Sequence, residues 1–358
     1  MMNGLTLNNF KVIKDKNCIM SKEITGTTWT VDDANTLTQN EIYGKVLCEL
    51  GEEHPEIVGL TADLAKSTKI GIFQEKFPNR FINVGIAEQN MFGIAAGLAR
   101  TGLLPFVSTM AAFASMRAAE QVRTDICYQN LNVKIIATHG GVSFASAGTT
   151  HHATEDIAIM RSFANMTVIV PADGIETANA VRAAVDWPGP VYIRTGRGFE
   201  PNYYTTKDYG FQIGKSVEIR HGNDITIIAA GIAVLQAAEA ADFLKKNHDL
   251  SIRVINMHTI KPIDQEAIMK AVTETRRIIT FEEHNIIGGL GTAVADVIAQ
   301  SGKGCAFTKV GFPDVYSEVG YPEDLYAYYK LDTNGIIEKV QEVMQKDFEE
   351  DENWDDEF

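Results

Sequence analysis

From Asn40 onward the chain alternates helix-length stretches with short runs of β-branched and apolar residues, and it does so twice. In the first round EIYGKVLCELGEEH, TKIGIFQEKF, EQNMFGIAAGLARTG, AFASMRAAEQVRTDICYQN, EDIAIMRSF and GIETANAVRAAVDW carry helical spacing. Between them lie IVGLTAD, FINVGI, LPFVSTM, VKIIATH, TVIVPAD and VYIRTG. Strands separated by helices are joined by crossovers, which lay the strands parallel and cover both faces of the sheet. The rhythm breaks in the segment GRGFEPNYYTTKDYG at 196–210, rich in Gly, Pro and aromatic residues. It then resumes, with ITIIAAG, SIRVINMHT, RIITFEEH and CAFTKVGF as strands. IAVLQAAEAADFLKKNH, DQEAIMKAVTE, GLGTAVADVIAQSG and GIIEKVQEVMQKDF are the helices of this second round. The pattern predicts an α/β chain with two doubly wound domains, one over 37–200 and a smaller one over 211–345. Residues 1–36 read as an irregular arm, 201–210 as the linker and 346–358 as an acidic tail.

Composition narrows the partners. With 45% hydrophobic and 22% charged residues the chain is ordinary for a folded protein, and wholesale disorder is excluded. A net charge of −15 repels phosphate backbones and anionic lipid, so neither nucleic acid nor membrane is an expected partner. The tail KDFEEDENWDDEF holds one Lys and eight acidic residues, so much of that charge is a solvated terminus and the body is only mildly acidic. Cys18, Cys48, Cys127 and Cys305 are far apart, with no ligand-like Cys/His spacing. Reduced thiols in the cytoplasm fit better than disulfides or zinc. No apolar run approaches the ~20 residues of a membrane span. The N-terminus lacks the apolar core and cleavage site of a secretory signal, and Met20 is a second plausible start.

Ligands of open α/β sheets collect beyond the carboxyl ends of strands. Three such ends are chemically unusual. In Gly85-Ile-Ala-Glu88-Gln-Asn a carboxylate opens a nearly uncharged helix, so Glu88 is expected to lie deep and to need a partner or a proton. First-turn acids also suit the helix dipole, which is the plainer reading. The second end runs from His139 through a small-residue loop to His151-His152. Adjacent side chains point apart and chelate one ion poorly, so a loop histidine for proton transfer or oxyanion binding is preferred over a metal site. The third, Arg194-Thr-Gly-Arg197, suits an anionic substrate group, with salt-bridged arginines as the equally good alternative. Asp63-Leu-Ala-Lys-Ser67 reads more simply as a helix cap. Gly288-Gly-Leu-Gly291 lacks the spacing and downstream acid of a dinucleotide fingerprint and reads as a turn into a helix. Glu282-Glu283-His284 reads as a strand cap at an interface.

Taken in order, ADLAKS, INVGIAEQNM, STMAAF, the His139-to-His151 spacing and ANMTVIVPAD resemble the thiamine-diphosphate enzymes, specifically the C-terminal half of transketolase, over about residues 36–345. The resemblance implies a pyrimidine-binding domain at 37–200 followed by the family's C-terminal domain. Glu88 resembles the glutamate that hydrogen-bonds the cofactor's pyrimidine ring and shares a proton with it, and Phe113 the aromatic residue that stacks on that ring. His151 matches the histidine at the reacting oxygen. His139, Ser67 and Arg197 match groups that hold the substrate's terminal phosphate. The implied reaction moves a two-carbon ketol unit from a ketose to an aldose, with the cofactor as electron sink.

The family holds the diphosphate and its magnesium through a GDG segment, and this chain has none. The resemblance therefore implies a split transketolase, with an N-terminal-section partner holding the diphosphate and Mg2+, an α2β2 assembly, and an inactive lone chain. Two departures bear on the sugar. Ala147 stands where full-length transketolases carry an aspartate four residues before the loop histidine, and Asn40 stands near the place of a phosphate-binding arginine. An uncommon sugar phosphate, a sulfonated sugar or an unphosphorylated one is the resulting expectation. Deoxyxylulose phosphate synthase shares the IAEQ segment but is a fused chain, usually with aspartate at the position of His139. The β-subunit of 2-oxo acid dehydrogenases lacks the THHATED pattern. A non-catalytic paralogue would have no need to retain Glu88, Phe113 and His151.

Overall fold

The computed structural model describes residues 29–34, 36–198 and 201–345. Most of the expected arm, with Cys18 and Met20, and the acidic tail at 346–358 lie outside the described residues. The described end of the arm is not wholly irregular, since Val31–Ala34 forms one helical turn.

Among the described residues twelve strands form two sheets. The first contains β1 (Ile57–Thr61), β2 (Phe81–Asn83), β3 (Leu104–Met110), β4 (Lys134–Thr138), β5 (Thr167–Ile169) and β6 (Val191–Arg194). The second contains β7 (Val217–Arg220), β8 (Ile225–Ala229), β9 (Ile252–Asn256), β11 (Arg277–Asn285) and β12 (Ala306–Phe312). A further short strand, β10 (Thr259–Lys261), belongs to the second round of the sequence but pairs antiparallel with β5, extending the first sheet to seven strands in the order β10-β5-β6-β4-β3-β1-β2. The second sheet runs β12-β11-β8-β9-β7, parallel except for β7 on β9. Both domains are thus doubly wound α/β units, as the alternation requires.

Three departures from the sequence reading have physical causes. SIRVINMHT is two strands in two sheets, because alternation reports which faces are buried and not which neighbour a strand joins. AFASMRAAEQVRTDICYQN is not one regular helix; it contains π-helical turns at Phe113–Arg117 and Val122–Cys127. TKIGIFQEKF begins as a helix only at Gly71, since Lys69 adopts a left-handed conformation (φ 65°) that separates Ala65–Thr68 from Gly71–Lys76. The edge strand β7 and the helix Pro322–Tyr328 carried too short a pattern to be read.

Helices Gln39–Glu53 and Gly174–Asp186 cover one face of the first sheet through Ile42, Tyr43, Leu47, Ile175 and Val181. On the other face Met91, Phe92, Val107 and Ile157 pack in a core that continues into the second domain through Ile255, Met257, Ile268 and Leu290. One apolar core therefore spans the junction. No helix among the described residues is long and apolar enough to cross a membrane.

Candidate active site

All six singled-out residues lie on segments that follow the carboxyl ends of parallel strands of the first sheet, Ser67 on the turn after β1. Glu88 follows β2, Phe113 follows β3, His139 follows β4 and Arg197 follows β6, while His151 comes in on the loop after His139. Helix Glu88–Arg100 starts at the carboxylate itself, and its small, apolar next turns let it press against the sheet, so Glu88 is only 4% exposed. The partner such a carboxylate requires is Arg117, whose Nη1 donates to Glu88 Oε1 at 2.9 Å. The same guanidinium lies 3.7 Å from the centroid of the Phe113 ring. The π-helical turn at Phe113–Arg117, closed by Ala118 N–H donating to Phe113 O, carries both side chains.

Phe113 meets His151 edge-on at 5.3 Å between ring centroids, and His151 meets Phe144 at 5.5 Å. Phe144 in turn contacts His139 at 5.3 Å and lies 4.2 Å beneath the Arg197 guanidinium. A continuous line of flat groups thus runs from Glu88 to Arg197. His139 is buried, and burial, with help from the cationic Arg197 and from His151, pushes its pKa down to about 4. It is neutral at pH 7, hydrogen-bonded through Nδ1 to the Thr138 hydroxyl at 2.7 Å, and offers hydrogen bonding rather than charge. His152 diverges from His151, burying its ring with Nε2 3.1 Å from Ala145 O.

Ser67 stands apart. It is exposed on the turn Ala65–Thr68, donates to Leu64 O at 3.2 Å and makes no described contact with the other five. The cap reading of this segment fails, because residue Leu64 occupies the cap position without a side-chain bond and Asp63 instead exchanges hydrogen bonds with Asn83. Asn40 is buried, donating to Gly196 O and accepting from the Thr195 hydroxyl, so it fastens a helix to the end of β6.

The two arginines that sequence left equivalent are separated by the fold. Arg197 is exposed above Phe144. Arg194 is buried in the junction between the domains, where Nε donates to both Asp156 oxygens at 3.0 and 3.2 Å and Nη2 to Ala153 O and Glu283 O. Glu283 accepts from Val142 N–H and from the Tyr326 hydroxyl. The paired glycines after His139 follow from this: a Cβ on Gly140 would lie 2.7 Å from the Arg194 guanidinium carbon, and one on Gly141 (φ 57°) 2.2 Å from the Glu283 carboxyl carbon. Glu282 caps the helix Leu290–Ser301 by accepting from Leu290 and Gly291 N–H, and Gly288 N–H donates to the Thr292 hydroxyl, so the glycine cluster there is the turn into a helix.

Sequence reasoning passed over Arg117 and Phe144. Arg117 lay inside a segment read as a plain helix, and Phe144 inside a loop of small residues.

Chemically, one end of this edge can hold a flat ring, with an aromatic face on one side and a buried carboxylate at its rim. The other end presents a cation beside a neutral histidine. That combination is the class: an α/β fold whose sheet edge is suited to a planar ring and an anionic group. The chain matches the family models for the transketolase pyrimidine-binding domain over residues 35–200 and the transketolase C-terminal domain over 214–336. It belongs to the transketolase family.

Its relatives include a putative transketolase C-terminal section of Methanocaldococcus jannaschii, 44% identical over 85% of this chain and 96% of the relative. A subunit of an apulose-4-phosphate transketolase of Phocaeicola vulgatus is 39% identical over 87% and 99%. A 6-deoxy-6-sulfo-D-fructose transketolase subunit of a Clostridium species is 36% identical over 86% and 94%. The fold is similar to a solved split-gene transketolase described as an inactive beta4 tetramer, with a TM-score of 0.78, 44% identity and coverage of 86% of this chain and 98% of that one. A 1-deoxy-D-xylulose-5-phosphate synthase of Heliobacterium modesticaldum is 34% identical, but this chain spans only 48% of its length.

Proposed function

We propose that this chain is the C-terminal-section subunit of a split, thiamine-diphosphate-dependent transketolase, transferring a two-carbon ketol unit from an anionic ketose to an aldose. The observation that carries the reading is the pairing of a buried carboxylate, Glu88, with the ring face of Phe113 at the carboxyl edge of the first sheet. That the guanidinium of Arg117 already sits over the Phe113 ring and bonds Glu88 supports the fit, since a planar, nitrogen-bearing ring needs the same two contacts. The bound cofactor supplies the carbanion chemistry and electron sink that amino-acid side chains lack. Glu88 hydrogen-bonds the ring and holds or releases the proton shared with it. Phe113 orients the ring by stacking. His151, between Phe113 and Phe144, is assigned the bond to the reacting oxygen. In this reading residues 37–200 form the pyrimidine-binding domain, 201–210 the linker and 211–345 the C-terminal domain.

The diphosphate and Mg2+ are assigned to a partner. The chain carries no GDG segment, and among the described residues no three His, Cys, Asp or Glu side chains are grouped as a metal site. The separate-chain relatives, named as a C-terminal section or as one subunit of a transketolase, match over almost their whole length, which supports an N-terminal-section partner, and the assembly assigned to the pair is α2β2. The solved relative described as an inactive beta4 tetramer supports inactivity of the lone chain.

Arg197, with His139 as a neutral donor and Ser67 on the turn after β1, is assigned to the substrate's anionic end. The apulose-4-phosphate and sulfofructose relatives act on sugars ending in phosphate and sulfonate, and one guanidinium serves either. Ala147, half-buried four residues before His151, leaves that flank without a carboxylate to read a sugar hydroxyl. Arg197→Ala is expected to raise KM for an anionic ketose roughly tenfold, about 1.4 kcal/mol, with kcat and thermal stability nearly unchanged because the side chain is exposed. Steady-state kinetics of the assembled enzyme check this; an unchanged KM moves the anion elsewhere. Product analysis separates the runner-up, a deoxyxylulose phosphate synthase-like reaction, because that reaction releases carbon dioxide and ketol transfer does not.

A further inference from the structure

We infer that Arg117 is an internal ligand of the cofactor site, occupying the pyrimidine position in the lone chain and leaving it when the cofactor binds. The inference rests on the reading of that site given above.

Three observations carry it. First, the Arg117 guanidinium makes both contacts that define the position: it lies 3.7 Å from the Phe113 ring centroid and donates to Glu88 Oε1 at 2.9 Å. A guanidinium and an aminopyrimidine are alike in the relevant respects, both planar, delocalised and edged with N–H donors. They cannot occupy one ring face together. Second, Arg117 has somewhere to go. Its side chain is 50% exposed whereas Glu88 is 4% exposed, so the carboxylate is fixed in the wall and the cation reaches in from solvent. Third, the anchoring of Arg117 does not depend on its own head group. Gln89 Nε2 donates to the Arg117 backbone carbonyl at 3.0 Å, and the π-helical turn is closed by Ala118 N–H on Phe113 O. The side chain can swing without unfolding the turn that holds Phe113.

The arrangement also answers a physical problem of a divided site. A chain that waits alone with an empty pocket leaves a buried carboxylate unpaired beside a bare aromatic face, and that is costly. Arg117 satisfies both groups until a ring replaces it. The consequence is competition: the cation weakens binding of the ring to the lone chain, and binding becomes strong only when the diphosphate end is gripped as well.

The test is calorimetric titration of the isolated chain with thiamine, which carries the pyrimidine but no diphosphate, so no partner is needed. Arg117→Gln should bind thiamine at least tenfold more tightly than the wild type. Arg117→Lys, whose compact ammonium cannot lie flat on the ring, should fall between them and serves if the glutamine variant folds poorly. Adding Phe113→Ala to Arg117→Gln should remove the gain. A merely structural role for Arg117 predicts weaker or unchanged binding in the single variants, and either result overturns the inference. Wild-type chain that binds thiamine as tightly as Arg117→Gln overturns it too, while leaving the cofactor reading intact. If the variants and the partnered complex alike fail to bind thiamine or its diphosphate, the cofactor reading itself has failed.

Discussion

Replacing Glu88 with glutamine is expected to leave the subunit folded and assembled while lowering turnover by about 10²–10⁴-fold, the range a positioned acid or base contributes. The substitution keeps shape and hydrogen bonding at a site that is 4% exposed but removes the group that exchanges a proton with the cofactor ring. Arg117, half-exposed, loses a charged partner and can turn to solvent, so the fold is little affected. The measurements are kcat with a ketose donor and gel filtration of the mixed subunits. Near-normal turnover in Glu88→Gln would remove Glu88 from the chemistry. Loss of assembly would show that its role is structural, as a first-turn acid beside a cation.

The second large effect concerns the junction and not the chemistry. Arg194 is buried against Asp156 and near Glu283, with Arg194 Nη1 3.7 Å from Glu283 Oε2. Removing one partner from a buried ionic cluster leaves uncompensated charge, at a cost of about 3–5 kcal/mol. Arg194→Met should therefore lower stability to denaturant by that amount. The pH dependence has a definite sign. Burial pushes the Glu283 carboxyl above its ordinary range while Arg194 pulls it back. A carboxyl raised in the folded state contributes stability below its unfolded pKa and loses it as pH rises through the folded value. Without Arg194 the raised value climbs further, so the deficit of Arg194→Met should be larger at pH 8 than at pH 5. A deficit under 1 kcal/mol, or one that grows in acid, contradicts this account. Because the loop from His139 to His151 crosses this cluster through Gly140 and Gly141, the same variant should also loosen the substrate end of the site.

Much of this was legible in the primary structure because the signals are periodic or sit at strand ends. Alternation specified two doubly wound sheets, and Glu88, His139 and Arg197 were visible as polar residues just beyond apolar runs, whereas Phe113 came only from the family resemblance. What escaped depends on tertiary pairing. β10 looks like the tail of β9 and becomes a strand of the other sheet only because β5 has a free edge beside it. Arg194 and Arg197 are three residues apart with similar neighbours, and only the approach of Asp156 and of Glu283 on β11 separates a buried counterion from an exposed one. Arg117 is the clearest case. Its link to Glu88 joins positions 29 residues apart and requires a widened helical turn, for which residue spacing carries no signal.

The most direct test of the central claim is a ketol-transfer assay of this chain alone, of its N-terminal-section partner alone, and of the two mixed, each with thiamine diphosphate and magnesium. The account predicts turnover of an anionic ketose only in the mixture. Turnover by the isolated chain, with the cofactor held unaided, would contradict it.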